Sequence, residues 1–442
     1  MVYMENKITI YRGSHQIGGC AAEITAGGHR IVIDFGANLP DCENEGMTDE
    51  ELVQTVFDGR PCDSVFFTHY HGDHIGLYKR IPEEIPLYIG KTAKKIMEIL
   101  TEKLDTLAQK EQKGLSRIQG MHCYCPGEKI NLQLTACRGG SHPTSDIQIT
   151  PFVVDHSALD SYMFLIEAGG KKILYTGDFR EHGIAGDNNR LERMLLKYIG
   201  KIDILITEGT MLSRMDEDSN AIQTEEDLGR RAGKLFRQNK ESVIMVSSTN
   251  LDSIMEFYHA LPWGMDFVCD AYQAKVILAA MEDKGKFYAK YRPQMIHGKP
   301  RRFCIVGDME GLGLKQNCQE AKFSILKEKG FTMLARESNP RFSSIMQKFS
   351  DPLIIYSKWA GYLEGKHMVK AVREFIGNHR VEMLHTSGHA YTKTLEKLMR
   401  LTEPDIIIPM HTECAEKFGE IPAFLPYQNK IKVLQDKEPF AF

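Results

Sequence analysis

The segment FFTHYHGDHIG, positions 66 to 76, brings together four side chains that commonly bind metal ions: His69, His71, Asp73 and His74. An apolar run typical of a buried strand leads into it, so the four side chains should lie on a loop at a strand end. Imidazole nitrogens and carboxylate oxygens bind Zn²⁺, and a catalytic zinc site keeps a position open for water. The alternative is a cluster of surface polar residues, but only 16 of 442 residues are histidine and three of them fall within these few positions.

The spacing favours two metal ions rather than one. In a sharp loop, His69 and His71 can face one pocket while Asp73 and His74 turn towards a second. Two ions about 3.5–4 Å apart can polarise a phosphoryl oxygen, generate hydroxide near neutral pH and stabilise a leaving oxygen. The loop therefore indicates metal-dependent hydrolysis.

Strand-like segments must position these side chains. Runs such as HRIVIDFG and DSVFFTHY are apolar and rich in β-branched residues, as strands are. Gly-Gly pairs predict tight hairpins at 26–29 and 168–171, and the strand after each hairpin ends at an aspartate, Asp34 or Asp178. Two further ligands follow apolar runs, His156 in FVVDHSALD and His411 in IPMHTE. We expect two similar half-sheets whose loops share one edge.

The chain is too long for one ordinary core, and its pattern of strand-like and helical segments changes along its length. Apolar residues at helical spacing, with many charges between them, predict one or two surface helices in 92–119. From about 208, helical stretches alternate with short apolar strands, which is typical of βα units around a parallel sheet. Histidine-bearing strand ends then return. We therefore predict a first domain in two parts, 1–207 and 376–442, with a second domain, 208–375, inserted between them.

Composition excludes several classes of protein. A hydrophobic fraction of 42% and a charged fraction of 26% are ordinary for a globular chain, and do not suggest disorder. No secretory signal or membrane-spanning apolar stretch is evident. The ten cysteines lack the spacing of a disulfide framework and are expected to be mostly reduced and buried. We expect a soluble, cytoplasmic enzyme that does not bind membranes, and the oligomeric state stays open.

The net charge of −4 gives no general footprint for nucleic acid, so any polyanion site must be local. One segment of the inserted domain, KYRPQMIHGKPRRF at 290–303, has cations interleaved with aromatic residues. It could follow a single-stranded nucleic acid or be a solvated loop. Its cations are Lys290, Arg292, Lys299, Arg301 and Arg302.

Taken in chain order, the motifs with Asp34 in IDFG, THYHGDH, DHS, TGD and His411 resemble those of the metallo-β-lactamase superfamily. The resemblance implies an α/β fold, a four-layer αββα sandwich with a dinuclear zinc centre at one edge of the two sheets. It implies one zinc held by His69, His71 and His156, and a second held by Asp73, His74 and His411, with Asp178 bridging both. Asp34 matches a carboxylate that orients a ligating histidine. The sequence does not distinguish zinc from manganese.

Three further motifs, TEGT at 207–210, HTSGHA at 385–390 and PMHTE at 409–413, resemble those of the β-CASP nucleases. In that branch an inserted domain separates the acidic motif from the histidine motifs, and HTSGHA is similar to the ribonuclease J group. The resemblance covers nearly the whole chain. About twenty residues follow the AEKFGEI segment, so we expect no additional C-terminal domain and no dimer formed through one.

The resemblance implies phosphodiester cleavage in single-stranded RNA or DNA. Asp73 is the candidate acceptor of the nucleophile's proton, and Asp178 positions the nucleophile. His389, oriented by Glu208, is the candidate donor of a proton to the leaving oxygen, because the pKa of histidine lies near neutrality. Small residues let backbone N–H groups approach a phosphate, so we predict a phosphate cradle. It comprises His385, Thr386, Ser387, Gly388 and Ala390.

Two alternatives remain at this point. The metal site could serve a small ester, lactone or thioester, although an inserted domain of about 170 residues should roof the site into a long groove. The chain could also be a nucleic-acid-binding subunit without catalysis, although every ligand position is filled. Sequence does not separate exonuclease from endonuclease.

Overall fold

A computed structural model describes residues 5–39, 46–108, 113–132, 147–186, 188–213, 223–282, 290–307, 309, 318–349, 351–365 and 368–442. The chain divides into two compact units. The first comprises Met1–Glu181, Ala185–Glu217 and Gly388–Phe442, and the second comprises His182–Ile184 and Asp218–Ser387. No helix in the described ranges is long and apolar enough to cross a bilayer.

The strands, in chain order, are β1 (Lys7–Arg12), β2 (Ala21–Ala26), β3 (His29–Ile33), β4 (Ser64–Phe66), β5 (Leu87–Gly90), β6 (His122–Tyr124), β7 (Ile130–Asn131), β8 (Ile147–Val154), β9 (Ser161–Ala168), β10 (Lys171–Tyr175), β11 (Ile204–Glu208), β12 (Glu241–Val246), β13 (Asp266–Asp270), β14 (Met295–Ile296), β15 (Lys299–Pro300), β16 (Phe303–Val306), β17 (Cys318–Glu320), β18 (Phe331–Ala335), β19 (Leu353–Ser357), β20 (Val381–Met383), β21 (Ile406–Met410) and β22 (Pro439–Ala441).

The α-helices are α1 (Asp49–Phe57), α2 (Gly72–Ile75), α3 (Lys91–Ala108), α4 (Lys113–Gln119), α5 (Arg190–Met194), α6 (Glu225–Gln238), α7 (Leu251–Ala260), α8 (Ala271–Met281), α9 (Phe323–Lys329), α10 (Pro340–Met346), α11 (Lys370–Ile376) and α12 (Thr392–Thr402). The helices α3 and α4 are the pair predicted within 92–119.

Two mixed sheets form the centre of the first unit. One has the order β22-β1-β2-β3-β4-β5-β6 and the other the order β21-β11-β10-β9-β8-β7. They pack face to face through aromatic residues, since the ring of Phe164 on β9 lies 6.2 Å from that of Phe66 on β4 and 5.7 Å from that of Tyr124 on β6. These side chains are buried, so the interface between the sheets is an apolar core.

Helices cover both outer faces of this pair of sheets. The helices α1 and α3 pack on the first sheet, at β1 and at β5 and β6. On the second sheet, α5 and α12 bury Leu191, Met194 and Leu398 in one cluster with residues of β8, β9 and β10. The result is the predicted αββα sandwich.

Both predicted hairpins form. Ala26 pairs with His29 across Gly27 and Gly28, and Ala168 pairs with Lys171 across a second Gly-Gly turn. All four turn glycines have positive φ, a backbone conformation that costs glycine little and other residues more. The strands that leave these turns, β3 and β10, end just before the two aspartates that the motifs single out.

The second unit is a parallel α/β layer structure of the predicted class. Its sheet has the order β17-β16-β13-β18-β12-β19-β20, and neighbouring strands in this order run parallel. The strands are buried on both faces, which explains why segments such as SVIMVSS and PLIIYS are continuously apolar. Asn250 caps α7 by accepting a hydrogen bond from the Ser253 amide.

In the segment 290–303, one residue fits neither of the two alternatives, the nucleic-acid track and the solvated loop. Arg301 is buried and donates to the carbonyl oxygens of Leu261, Pro262 and Met265, so its charge stabilises the unit internally. Lys290 forms an ion pair with Glu256 at 2.7 Å. The prediction is wrong for Arg301, because a buried guanidinium with carbonyl partners cannot also reach a phosphate.

Candidate metal centre

The predicted metal-binding side chains meet at one edge of the first unit. Each follows the end of a strand of the two sheets, and the strand ends face the same way because β3 and β4 run parallel, as do β10, β11 and β21. The positions are Asp34 after β3, His69–His74 after β4, His156 after β8, Asp178 after β10 and His411 at the end of β21.

Three imidazoles form one group. His69, His71 and His156 each present a ring nitrogen within 4.8 Å of the others. His156 Nε2 lies 3.2 Å from His71 Nδ1, and the ring of His69 lies 4.7 Å from that of His156. Three nitrogens that converge on one point are the donor set of a catalytic zinc site with an open position.

A second group lies beside the first. His411 Nε2 is 3.3 Å from Asp73 Oδ2, and His74 Nε2 is 4.0 Å from the same oxygen. Asp178 lies between the groups, since its Oδ2 is 3.2 Å from His74 Nε2 and 3.9 Å from both His69 Nε2 and His156 Nε2. One carboxylate therefore faces both groups.

The far side of three of these rings is held by a hydrogen bond. His74 Nδ1 lies 2.9 Å from Asp34 Oδ2, and His156 Nδ1 lies 2.6 Å from the Gly388 carbonyl oxygen. His411 Nδ1 lies 2.7 Å from Thr210 Oγ1. When Nδ1 donates its hydrogen in this way, Nε2 is left with the lone pair that a metal needs.

Asp34 is held in turn by its own partners. It is fully buried with φ 58, and its carboxylate accepts hydrogen bonds from the Thr68 amide and hydroxyl. Left-handed backbone is uncommon outside glycine, but aspartate tolerates it better than most residues. The turn at Asp34 thus directs its carboxylate at the ring of His74.

The loop that carries Asp73 and His74 packs closely against the chain after β3. The Asp73 carbonyl oxygen accepts from the Cys20 amide at 2.9 Å, and that of His74 accepts from the Phe35 amide at 2.7 Å. A Cβ atom on Gly36 would overlap the Asp73 carbonyl group. Gly36 is therefore the residue that lets the ligand loop approach this strand end.

Burial and charge act on the pKa values of the cluster in opposite directions. Burial lowers the pKa of His69 and His156 well below the usual value, and lowers that of His71 to about 4. Burial alone would also lower the pKa of His74, but the carboxylates of Asp178 and Asp34 outweigh it and raise that pKa. The cluster thus holds neutral imidazoles beside one site that attracts positive charge.

Two polar atoms at the centre support a bound cation. His69 Nε2 and Asp178 Oδ1 are buried, and neither has a hydrogen-bond partner among the described residues. An unsatisfied buried polar atom costs about 1–3 kcal/mol, which a metal ion would remove. The donor set of imidazoles and carboxylates fits zinc.

Glu208 and His389 form a pair at the rim of this cluster. Glu208 is buried, and its Oε1 accepts from the amides of Phe179 and Ala390 at 2.9 and 3.3 Å. Its Oε2 lies 3.0 Å from His389 Nδ1, and the His389 side chain is 21% exposed. Nδ1 of His389 also lies 3.6 Å from Asp178, so a partly accessible imidazole stands next to the predicted bridging carboxylate.

The residues of HTSGHA divide between the two units. Thr386 is buried in the second unit, where its hydroxyl donates to Glu225 at 2.6 Å, and the Ser387 carbonyl lies 2.8 Å from His182 Nε2. His385 also belongs to the second unit. In the first unit, the Gly388 carbonyl faces His156 and the Ala390 amide donates to Glu208. The Ala390 amide is thus engaged within the protein.

Sequence reasoning missed three residues of this site. Thr210 orients His411. It is the last residue of the TEGT motif, and that position could have marked it as part of the site. Thr68 opens THYHGDH and joins Asp34 to the ligand loop. Cys20 is buried, and its sulfur lies within 4.8 Å of ligand nitrogens of His74 and His411. Nothing in its sequence context marked it.

Comparisons with known proteins show which proteins this chain resembles. Residues 29–239 match the Beta-lactamase superfamily domain. Ribonuclease J of Helicobacter pylori (strain B128) is 23% identical over 432 residues, which cover 92% of this chain and 56% of the relative. Endoribonuclease ysh1 of Aspergillus fumigatus is 26% identical over 209 residues, which cover 45% of this chain and 22% of the relative. The chain thus spans about half the length of the first curated relatives it matches.

The fold has a counterpart among solved structures. The crystal structure of a protein of unknown function from Enterococcus faecalis V583 superposes with a TM-score of 0.74 at 21% identity, and covers 99% of this chain and 100% of its own. This likeness shows the fold alone. The sequence matches confirm the predicted resemblance to the metallo-β-lactamase superfamily and, within it, to the ribonuclease J group of β-CASP nucleases.

Proposed function

We propose that this chain, which carries a Beta-lactamase superfamily domain, is a dinuclear zinc hydrolase that cleaves phosphodiester bonds of single-stranded RNA. The observation that carries the proposal is the Glu208–His389 pair, which stands 3.6 Å from Asp178 at the edge of a two-part cluster of metal ligands. Both residues lie in motifs, TEGT and HTSGHA, that resemble those of the β-CASP nucleases. The names of the relatives, a ribonuclease and an endoribonuclease, support the choice of RNA.

Seven side chains would hold the two metal ions. His69, His71 and His156 are the ligands of one, and Asp73, His74 and His411 are those of the other, with Asp178 shared. When bound, such a pair of ions neutralises phosphate charge and lowers the pKa of water. The unpaired His69 Nε2 and Asp178 Oδ1 support this assignment.

Two carboxylates position the attacking water and accept its proton. Asp73, whose side chain is 14% exposed, accepts its proton at Oδ2. Asp178 is buried, and although burial alone would raise its pKa, the neighbouring His411 and His74 hold that pKa well below its usual range. It therefore stays ionised and positions the nucleophile. Asp34 acts through His74 and does not reach the substrate.

His389 donates the proton to the leaving 3′-oxygen. Because its Nδ1 is directed at Glu208, Nε2 is the nitrogen that would carry the transferred proton. Glu208, held by two backbone amides, stabilises the imidazolium and fixes the ring. General acid catalysis of this kind contributes about 10²- to 10⁴-fold to the rate.

The segment 385–390 cradles a substrate phosphate, as the resemblance implies. Thr386 anchors the segment through Glu225, which keeps the backbone of His385, Ser387 and Gly388 in place. Since the Ala390 amide donates to Glu208, its contribution is to position that carboxylate. The substrate's phosphate would therefore meet the part of the segment before Ala390.

A substrate panel tests the proposal. Purified, zinc-loaded protein is incubated with 5′-monophosphorylated RNA, 5′-hydroxyl RNA and single-stranded DNA of one sequence, beside a generic ester. We expect RNA to be cleaved, and the product lengths and the effect of the 5′ group to distinguish exonuclease from endonuclease. Turnover of the ester alone would refute a nuclease.

A further inference from the structure

The second unit exposes one of the chain's two tryptophans. Trp263 is 65% exposed, more than any other large apolar side chain among the described residues. It lies in the turn between α7 and β13. Singly exposed apolar side chains are common, so Trp263 indicates a binding site only together with the groups beside it.

The turn that carries Trp263 is held rigidly from beneath. The buried guanidinium of Arg301 donates to the Leu261 and Pro262 carbonyls at 3.1 and 2.9 Å, and to the Met265 carbonyl at 2.6 Å. These carbonyls flank Trp263 on both sides. The indole is therefore presented on a fixed backbone, and ordering it for a ligand costs little entropy.

A short hairpin stands beside the tryptophan. β14 and β15 pair through Ile296 and Lys299, and the two turn residues, His297 and Gly298, have φ of 49° and 78°. The His297 ring lies 5.5 Å from the indole of Trp263 at 76°. Met295, on the same hairpin, is 55% exposed. The indole and the imidazole beside it form an exposed aromatic surface, which we call the Trp263 platform.

Cationic residues lie on the hairpin of the Trp263 platform and next to it in the chain. Arg292, Lys299 and Arg302 are exposed, and none of them forms an ion pair with any residue in the described ranges. Lys290, by contrast, is paired with Glu256. In a chain of net charge −4, these three cations, which have no ion-pair partner in the described ranges, give the hairpin segment a local excess of positive charge. Phosphates would neutralise it, whereas an apolar protein partner would have to desolvate it.

The Trp263 platform lies far from the carboxyl ends of the parallel strands in its own unit. Trp263 comes just before β13, and the hairpin comes just before β16, so both are at the amino ends of these strands. His385 and Ser387 come after β20 at the carboxyl edge. With four or five residues per strand, the two edges are roughly 15 Å apart.

We propose that the Trp263 platform binds single-stranded nucleic acid, with a base stacked on the indole and backbone phosphates on Lys299 and Arg302. The inference rests on the proposed function for the identity of the ligand. Its distance from the carboxyl edge means that it holds nucleotides remote from the 385–390 segment. Stacking on an aromatic side chain tolerates any base, so the platform adds affinity without sequence preference.

Fluorescence of a single tryptophan tests this directly. The Trp359→Phe variant leaves Trp263 as the only indole in the chain. It is titrated, in its zinc-loaded form, with a phosphorothioate oligouridine that resists cleavage, and with inorganic polyphosphate as a probe of charge alone. We expect the oligouridine to quench the fluorescence, because a base stacks on the ring, and polyphosphate of equal charge to leave it unquenched.

Binding of the labelled oligouridine is followed by anisotropy in parallel. Trp263→Ala in the wild-type background should weaken binding roughly 5- to 150-fold. Lys299→Ala should lower the slope of log K against log salt by about 0.7. Binding by anisotropy with neither quenching nor an effect of Trp263→Ala would overturn the platform and leave the proposed function standing.

Two other outcomes also overturn the inference. Absence of binding by anisotropy in every protein would reject the proposed function together with it. A concentration-dependent doubling of mass in sedimentation, lost in Trp263→Ala, would identify the surface as a self-association face instead.

Discussion

At the scale of single residues, the site depends on which nitrogen of each imidazole is occupied. His74, His156 and His411 each have Nδ1 directed at an oxygen, of a carboxylate, a backbone carbonyl and a hydroxyl respectively. His389 has the same arrangement towards Glu208. The difference is exposure, because His389 is the one of these four with an accessible side chain. This difference in exposure supports the proposal that His389 is a proton donor and that His74, His156 and His411 are metal ligands.

Replacing His389 by Ala should lower kcat for RNA roughly 10²- to 10⁴-fold, because the leaving oxygen loses its proton donor. Zinc content, measured by mass spectrometry of the purified protein, should stay near the wild-type value. Glu208→Gln should show a smaller loss of the same kind, since the amide still accepts from the backbone but no longer stabilises an imidazolium. Loss of zinc in His389→Ala would show that His389 is a ligand.

Thr210→Val should weaken metal binding at the second position about 10- to 100-fold, because His411 loses the partner that fixes its ring. Thr210→Ser, which keeps the hydroxyl, is the matched control and should bind zinc almost as the wild type does. Competition with a chromogenic chelator measures both. Equal zinc affinity in all three proteins would remove Thr210 from the site.

Zinc binding should release a proton from His74. The carboxylates of Asp178 and Asp34 raise its pKa above the ordinary value, which favours the protonated ring in the metal-free protein, and that proton must leave before zinc binds. Affinity should therefore rise as pH rises through neutrality. Calorimetric titration in buffers of different ionisation enthalpy counts the released protons, and a count of zero would contradict this.

At the scale of elements, strand ends and tight turns create the site. The Gly-Gly turns before β3 and β10 start the strands that lead to Asp34 and Asp178. Both turns can be recognised from the sequence. The close approach of the ligand loop to Gly36 could not be predicted, because it joins segments far apart in the chain. The same holds for Arg301, whose carbonyl partners lie about 40 residues earlier.

Gly36→Ala should displace Asp73 and His74 and lower zinc content from two ions per chain towards one, since a methyl group there would overlap the Asp73 carbonyl. The group of His69, His71 and His156 should keep its ion. Gly72→Ala is the control, because a Cβ atom there has nothing within 4 Å. If both variants bind zinc alike, the close approach at Gly36 has no bearing on the site.

At the scale of the whole molecule, the two units are built on different kinds of sheet. Mixed sheets in the first unit gather ligands from distant parts of the sequence at one edge, and the second unit is a parallel sheet whose loops extend beyond its strands. The pattern of apolar residues was sufficient to predict two half-sheets in the first unit and a parallel sheet with helices in the second. It was insufficient for the roles of individual cations in 290–303, because charge alone does not reveal which side chain finds partners inside.

The most direct test of a two-metal hydrolase is the dependence of RNA cleavage on metal stoichiometry. Metal-free protein is titrated with zinc while cleavage of a 5′-labelled single-stranded RNA is followed, with Asp178→Asn beside it. We predict that activity rises to a plateau at two zinc ions per chain and that Asp178→Asn, which loses the shared carboxylate, neither fills both sites nor cleaves. Cleavage that is complete in the metal-free protein, or unchanged in Asp178→Asn, would contradict the proposed function.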